Sequence, residues 1–283
     1  MTEQTTARAA EAEAPAPVTP GPTGPAPAAS RRPRRARWAV ARWTAAVVVC
    51  GGVGTGTALG ITALDRADVP GLETRSDGRW SYPPLRLPAL PADRPRPFTA
   101  GGNDGEIHHA DVRQLLLPAP AGATPDAELN GGWVSDDAYL ATYGKEWRAP
   151  LKQALRDSAL RHITARGWTT PDGTTTRIHL LRFTSVAFAE EFRIESVRSG
   201  DPEEALPEGV TEGEIQESAA GDVQVPGVAA YVYQEKKPYG PERTRWAYVQ
   251  AGDTLALVTQ SRAGEALTVP FQQTVALQAQ LLG

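Results

Sequence analysis

From Trp43 to Leu64 the chain reads WTAAVVVCGGVGTGTALGITAL without one charged residue, and the basic run RRPRRARWAVAR stands immediately before it. Few environments suit such a segment. At ~1.5 Å of rise per residue, roughly 22 helical residues cover the ~30 Å hydrocarbon core of a bilayer. The sequence therefore predicts a transmembrane helix over residues 38–64, with Trp38 and Trp43 at headgroup level and the lipid bilayer as the first partner. Arg31, Arg32, Arg34, Arg35, Arg37 and Arg42 resist translocation, which keeps the N-terminus cytoplasmic and sends the C-terminal part outside. A cleaved secretory signal fits less well, because its apolar region is shorter and ends in a small-residue cleavage site, whereas this run meets Asp65 and Arg66. Lipidation at Cys50 also fits poorly, since Val47, Val48 and Val49 precede it and most of the apolar run follows it.

Gly52, Gly56 and Gly60 recur at four-residue spacing, so on a helix they form one smooth groove. This makes helix–helix contact, including a homodimer through the span, an expectation for the anchor. The same glycines loosely resemble a nucleotide-binding loop, but no Lys-Ser/Thr follows them and no phosphate cradle is implied.

Charge is divided unevenly. The whole chain carries −4, yet residues 1–64 hold seven arginines against three glutamates, or +4, which leaves −8 for the remainder. An acidic external part argues against a nucleic-acid partner, because phosphate binding needs clustered Lys and Arg. The single cysteine, Cys50, lies in the apolar run, so the external part holds no internal disulfide and must be stabilised by a core.

Four stretches follow. Residues 1–37 are rich in Ala, Pro, Thr and Arg and lack the apolar residues for a core, which predicts a disordered cytoplasmic tail. Residues 38–64 are the span. Residues 65–97 carry Pro70, Pro83, Pro84, Pro88, Pro91, Pro95 and Pro97 and read as a semi-rigid extracytoplasmic stalk. Residues 98–283 are long enough for one folded external domain.

Within that domain, Leu151, Leu155, Ala159 and Ile163 recur every four residues, predicting a helix from Trp147 to Ala165 with Gly167 at its end. A Pro-Asp-Gly turn inside GWTTPDGTTTRIHLLRF predicts a hairpin, and Ser185 opens a short helix through VAFAEEF. GVAAYVYQEK, TRWAYVQA and TLALVTQS, separated by turn signals, predict an antiparallel meander, and a helix carrying Phe271, Val275 and Leu282 closes the chain. The fold class is α+β, an antiparallel sheet covered on one face by helices.

Chemistry is sparsely marked. Glu106, His108, His109 and Asp111 form the densest set of potential metal ligands, but adjacent histidines on an extended chain point to opposite sides and no H-E-x-x-H completes a site. His162 and His179 read as packing or surface residues. Asp136 and Asp137 follow Ser135, where negative charge suits a helix start. There is no G-x-S-x-G and no external cysteine, so no catalytic residue, metal ligand or cofactor is assigned. Tyr231 and Tyr233 share one side of a strand and Trp246 and Tyr248 one side of the next, which predicts a possible aromatic platform for a cell-wall glycan, or else a packed face under the C-terminal helix while Val232, Ala247 and Val249 point the other way.

The disordered tail, single span, Pro-rich stalk and external domain together resemble single-pass membrane-anchored proteins of high-GC actinobacteria. DVRQLLLPAPAGA, RGWTTPDGTTTRIHLLRF, PYGPERTRWAYVQAGDTLALVTQS and PFQQTVALQAQLLG carry the resemblance, over roughly residues 106–283. It implies an envelope location and brings no activity with it. The leading expectation is a membrane-tethered extracytoplasmic module that binds cell-wall glycan or an envelope protein. Two alternatives stand beside it: an envelope enzyme with a metal or acid/base site at Glu106, His108, His109 and Asp111, and an accessory subunit that pairs through its span.

Overall fold

The computed structural model describes residues 34–63, 77–197, 205–217 and 223–283. The expected disorder of residues 1–33 and the expected stalk over 65–76 lie outside the described residues. The chain divides into two units, Met1–Thr74 and Arg75–Gly283.

The first unit holds helix α1 (Arg34–Ala63), 30 residues long, which begins four positions before the predicted start. Its Val47, Val48, Val49 and Val53 are 62–68% exposed. The helix forms where a span was predicted, but among the described residues no helix is long and apolar enough to cross a membrane. The shortfall is compositional. Six of the seven residues from Gly51 to Thr57 are Gly or Thr, which offer little apolar surface to remove from water.

The second unit contains a 3₁₀ turn (Val112–Leu115), β1 (Thr124–Val134), α2 (Asp136–Leu140), α3 (Lys145–Asp157), β2 (Leu160–Thr169) and β3 (Thr175–Phe183). There follow α4 (Val186–Phe192), which runs into a π-helical turn (Arg193–Val197), then β4 (Gly213–Ile215), β5 (Val228–Glu235), β6 (Glu242–Ala251), β7 (Thr254–Ala263) and α5 (Thr268–Leu282). The strands build one seven-stranded sheet in the order β1-β2-β3-β7-β6-β5-β4, with every pairing antiparallel. This is the α+β class that the alternating hairpins and helices predict.

The turns follow from their residues. Between β2 and β3 the Asp172 carboxylate accepts from Thr170 Oγ1 at 2.7 Å and from the Thr174 amide at 2.9 Å, an Asx-type turn. Between β6 and β7, Gly252 has φ 49°, and a Cβ there would lie 2.0 Å from the Glu106 carbonyl oxygen, so only glycine fits.

Helices cover both faces of the sheet, not one. Ile178, Leu180, Val232, Ala247, Val249, Ala256 and Val258 pack with Phe271 and Val275 of α5. Leu181, Phe183, Tyr233, Trp246, Tyr248, Leu255 and Leu257 pack with Tyr139, Leu151, Leu155 and Phe192 on the side of α2, α3 and α4. The central strands have apolar residues in both alternation sets, and β7 is buried continuously from Thr254 to Gln260. A strand apolar on both sides requires a layer on both sides. The aromatic face consequently lies under α2–α4, and it is the Val232, Ala247 and Val249 face that lies under the C-terminal helix.

Two boundaries also differ from the sequence expectation. Helix α3 stops at Asp157 instead of reaching Ala165: Ser158 caps it, Ala159 takes φ 50°, and Leu160 begins β2. Residues four apart share a face in a strand as well as in a helix, so the spacing of Leu155, Ala159 and Ile163 fits both. Pairing to β1 on one side and β3 on the other settles β2 as a strand.

The predicted stalk, from residue 77 onward, lies along the domain. The Trp80 amide donates to Gln273 Oε1 at 2.8 Å, Gln273 Nε2 donates to the Trp80 carbonyl at 2.9 Å, and the Tyr82 hydroxyl meets Thr274 Oγ1 at 2.9 Å. Leu85, Leu90 and Phe98 pack against the α5-side core. The prolines keep this segment extended, and the aromatic and leucine side chains between them fasten it down.

Candidate functional site

The Glu106–Asp111 segment is structural at its centre. His108 is 3% exposed; its Nδ1 lies 2.8 Å from Asp253 Oδ1, its Nε2 lies 2.9 Å from the Leu282 carbonyl oxygen, and its amide donates to Asp253 Oδ1 at 3.1 Å. Both ring partners are acceptors, so an imidazolium satisfies both. Asp253, fully buried, also accepts from Arg182 Nε at 3.1 Å and from Thr254 Oγ1 at 3.1 Å. Burial works to raise the Asp253 pKa, but the hydrogen bonds and charge of His108 and the charge of Arg182 together hold it below the ordinary carboxylate range. Asp111 caps the 3₁₀ turn and grips Arg113. Among the described residues, no three His, Cys, Asp or Glu side chains come together where they could hold a metal ion.

The aromatic quartet is assembled as its register predicts and then covered. Tyr231 pairs with Tyr248 and Tyr233 with Trp246; the Tyr233 and Trp246 rings stack at 5.6 Å and 14°. Trp246, Tyr248 and Tyr233 are 0%, 1% and 2% exposed, and the Arg193 guanidinium lies 4.2 Å from the half-buried Tyr231 ring. The Tyr248 hydroxyl continues into a buried chain, 3.0 Å to the Tyr143 hydroxyl and 2.6 Å onward to that of Tyr139. Burial pushes the pKa values of Tyr139 and Tyr143 up, so both of these hydroxyls stay protonated. In this structure the stacked pair belongs to the core and presents no open ring face. On α1, a Cβ placed at Gly52 or Gly56 would meet nothing within 4 Å.

An open cavity of about 480 Å³ lies elsewhere, where the end of edge strand β1 meets α2, α3 and β2. Its first wall comes from a bulge. Asn130 opposes Arg166 and Trp133 opposes Thr164, so three steps on β1 face two on β2. The extra residue lies in Gly131-Gly132. Gly131 has φ 94°, and a Cβ there would lie 2.4 Å from the Arg166 guanidinium, which crosses it to donate to the carbonyls of Leu116 and Leu117. Thr164 Oγ1 donates to the Gly132 carbonyl at 2.7 Å and fixes the bulge from the other side.

The chain leaves this bulge at Trp133, which is 50% exposed on the cavity wall. The His162 ring lies 5.0 Å from it and the Arg113 guanidinium 4.9 Å from it, so the indole is braced in place. Val134, Leu155, Leu160 and Ile163 supply apolar lining, and Asp136, Arg156, Arg161 and His162 supply polar lining. Ser135 Oγ accepts the Ala138 amide and caps α2 next to Asp136, as the sequence predicts. Arg156 and Arg161 reach the same cavity because Ala159 reverses the chain between them. A left-handed alanine costs about 1–2 kcal/mol, which the surrounding contacts offset.

Sequence reasoning assigned His162 to packing or surface and singled out neither Trp133 nor the two arginines. A local signal does exist: Gly-Gly before a lone Trp in an edge strand marks a bulge that re-aims a side chain.

No protein-family model matches this chain, and no curated protein matches it. Among solved structures it matches the extracellular domain of PknH from Mycobacterium tuberculosis, with a TM-score of 0.34 and 11% identity, covering 61% of this chain and 96% of that one.

Proposed function

We propose that this protein is a membrane-tethered extracytoplasmic binding module whose ligand site is the Trp133 pocket, with no catalytic role. The observation that carries the tether is α1 itself: an uncharged, outward-facing apolar run with Val47, Val48, Val49 and Val53 uncovered by protein and six arginines on its N-terminal side. Such a surface is unfavourable in water and favourable in lipid, and the arginines give the orientation. The Gly and Thr content makes this a weakly apolar anchor. The module's reading as a binder is supported by a half-exposed Trp and two guanidiniums at an open cavity that have no ion-pair partner among the described residues.

Fractionation with protease shaving tests the proposal. In cells expressing the full chain, the protein stays with membranes after alkaline carbonate washing, and external protease removes a C-terminal epitope while an N-terminal tag survives. Recovery in the soluble fraction, or protection of the C-terminal epitope in intact cells, overturns it.

A further inference from the structure

The Trp133 cavity holds an excess of positive charge in an otherwise acidic part of the chain. Arg156 and Arg161 line it with no ion pair or side-chain hydrogen bond among the described residues, and Asp136 is the one carboxylate in its wall. Arg86, Arg94, Arg96 and Arg177 also have no such partner among the described residues, so what marks Arg156 and Arg161 is that both line one cavity. Arg113, Arg166, Arg182, Arg193 and Arg245 are each held by a carboxylate, an amide oxygen or a main-chain carbonyl. Two guanidiniums left open on one cavity offer paired donors suited to an oxyanion, a local attraction that acts against the −8 carried by residues 65–283 overall.

The opposite wall has a different chemistry. Half-exposed Trp133, together with Val134 and Leu160, offers a flat apolar surface of the kind against which the C–H face of a sugar ring packs. His162 adds a ring N–H beside the indole, available in either tautomer. About 480 Å³ accommodates one or two sugar rings with an anionic substituent. We infer that this pocket binds a saccharide carrying a phosphate or carboxylate group, with Arg156 and Arg161 on the anion and Trp133 on the ring. This rests on the reading of the pocket as the module's ligand site and names the ligand's class.

Isothermal titration of the full chain in detergent tests it, with glucose 1-phosphate, glucuronate, glucose and inorganic phosphate as probes. At least one of the two anionic sugars binds about tenfold or more tightly than both glucose and inorganic phosphate, and which one identifies the anion. Arg156→Ala with Arg161→Ala removes the advantage over glucose. Trp133→Ala removes the advantage over inorganic phosphate, while its unchanged melting temperature shows an intact fold. Equal binding of all four probes overturns the inference, as does a preference that survives both sets of substitutions. Inorganic phosphate binding as tightly as the sugar phosphate overturns the saccharide assignment. Because the tether is tested by fractionation, a membrane-located, externally exposed protein without anionic-sugar preference loses only this inference.

Discussion

The buried node around His108 and the open pocket beside His162 use nearly the same side chains, His, Asp and Arg, to opposite ends. At the node every polar side chain faces a partner: His108 meets Asp253 and the Leu282 carbonyl, and Arg182 meets the other oxygen of Asp253. At the pocket Arg156 and Arg161 face solvent across a cavity, and His162 rests on a half-exposed indole. The lesson is that residue type does not separate structure from function in this protein. Whether the hydrogen-bonding capacity is consumed inside the fold does.

The sharpest way to break the comparison is Asp253→Ala, which strands His108 and Arg182 without their shared carboxylate. Loss of one partner from a buried charged set costs about 3–5 kcal/mol, visible as a large fall in the urea midpoint.

His179 separates burial from pairing. It is 1% exposed and neither ring nitrogen has a hydrogen-bond partner among the described residues, and burial followed by the Arg177 charge lowers its pKa to about 4. Its folded pKa lies below the unfolded value, so the unfolded state binds the extra proton between the two. Stability from this group is therefore present above about pH 6.5 and is lost as pH falls toward 4, by roughly 3 kcal/mol. Comparing His179→Phe with the native chain by thermal melts from pH 7 to pH 4 isolates the effect: the variant shows the shallower slope, and equal slopes refute the assignment.

Smaller effects are expected next to the pocket. Ala159→Gly relieves a left-handed alanine and raises stability by up to about 1 kcal/mol, read as a higher urea midpoint. Arg156→Ala combined with Arg161→Ala removes charges that hold nothing inside the fold, so the urea midpoint moves by less than about 0.5 kcal/mol equivalent. A fall as large as that of Asp253→Ala would place these arginines in the structural class with Arg182.

Much of the architecture was legible because it depends on short-range patterns. Pro171-Asp172-Gly173 closes the β2–β3 turn, Ser185 caps α4 with its hydroxyl accepting the Phe188 amide, and the alternation in β5 and β6 sets the register that stacks Tyr233 on Trp246. The end of α3 was not legible, since spacing of four serves helix and strand alike and the reversing residue is an alanine. The pocket was hidden for a related reason: its walls come from β1, α2, α3 and β2, and no single stretch contains it.

By itself the sequence determined the uncharged run behind its arginines, the acidic and disulfide-free remainder, the α+β class and the hairpin registers, all of which follow from local composition and periodicity. Only the tertiary structure decided which face of the sheet each helix covers, that residues 77–97 lie along the domain, that His108 is locked between Asp253 and Leu282, and that Trp133 stands open beside Arg156 and Arg161 on one cavity. Those outcomes depend on which buried donors and acceptors find partners at long sequence separation, and that is settled only when the chain closes on itself.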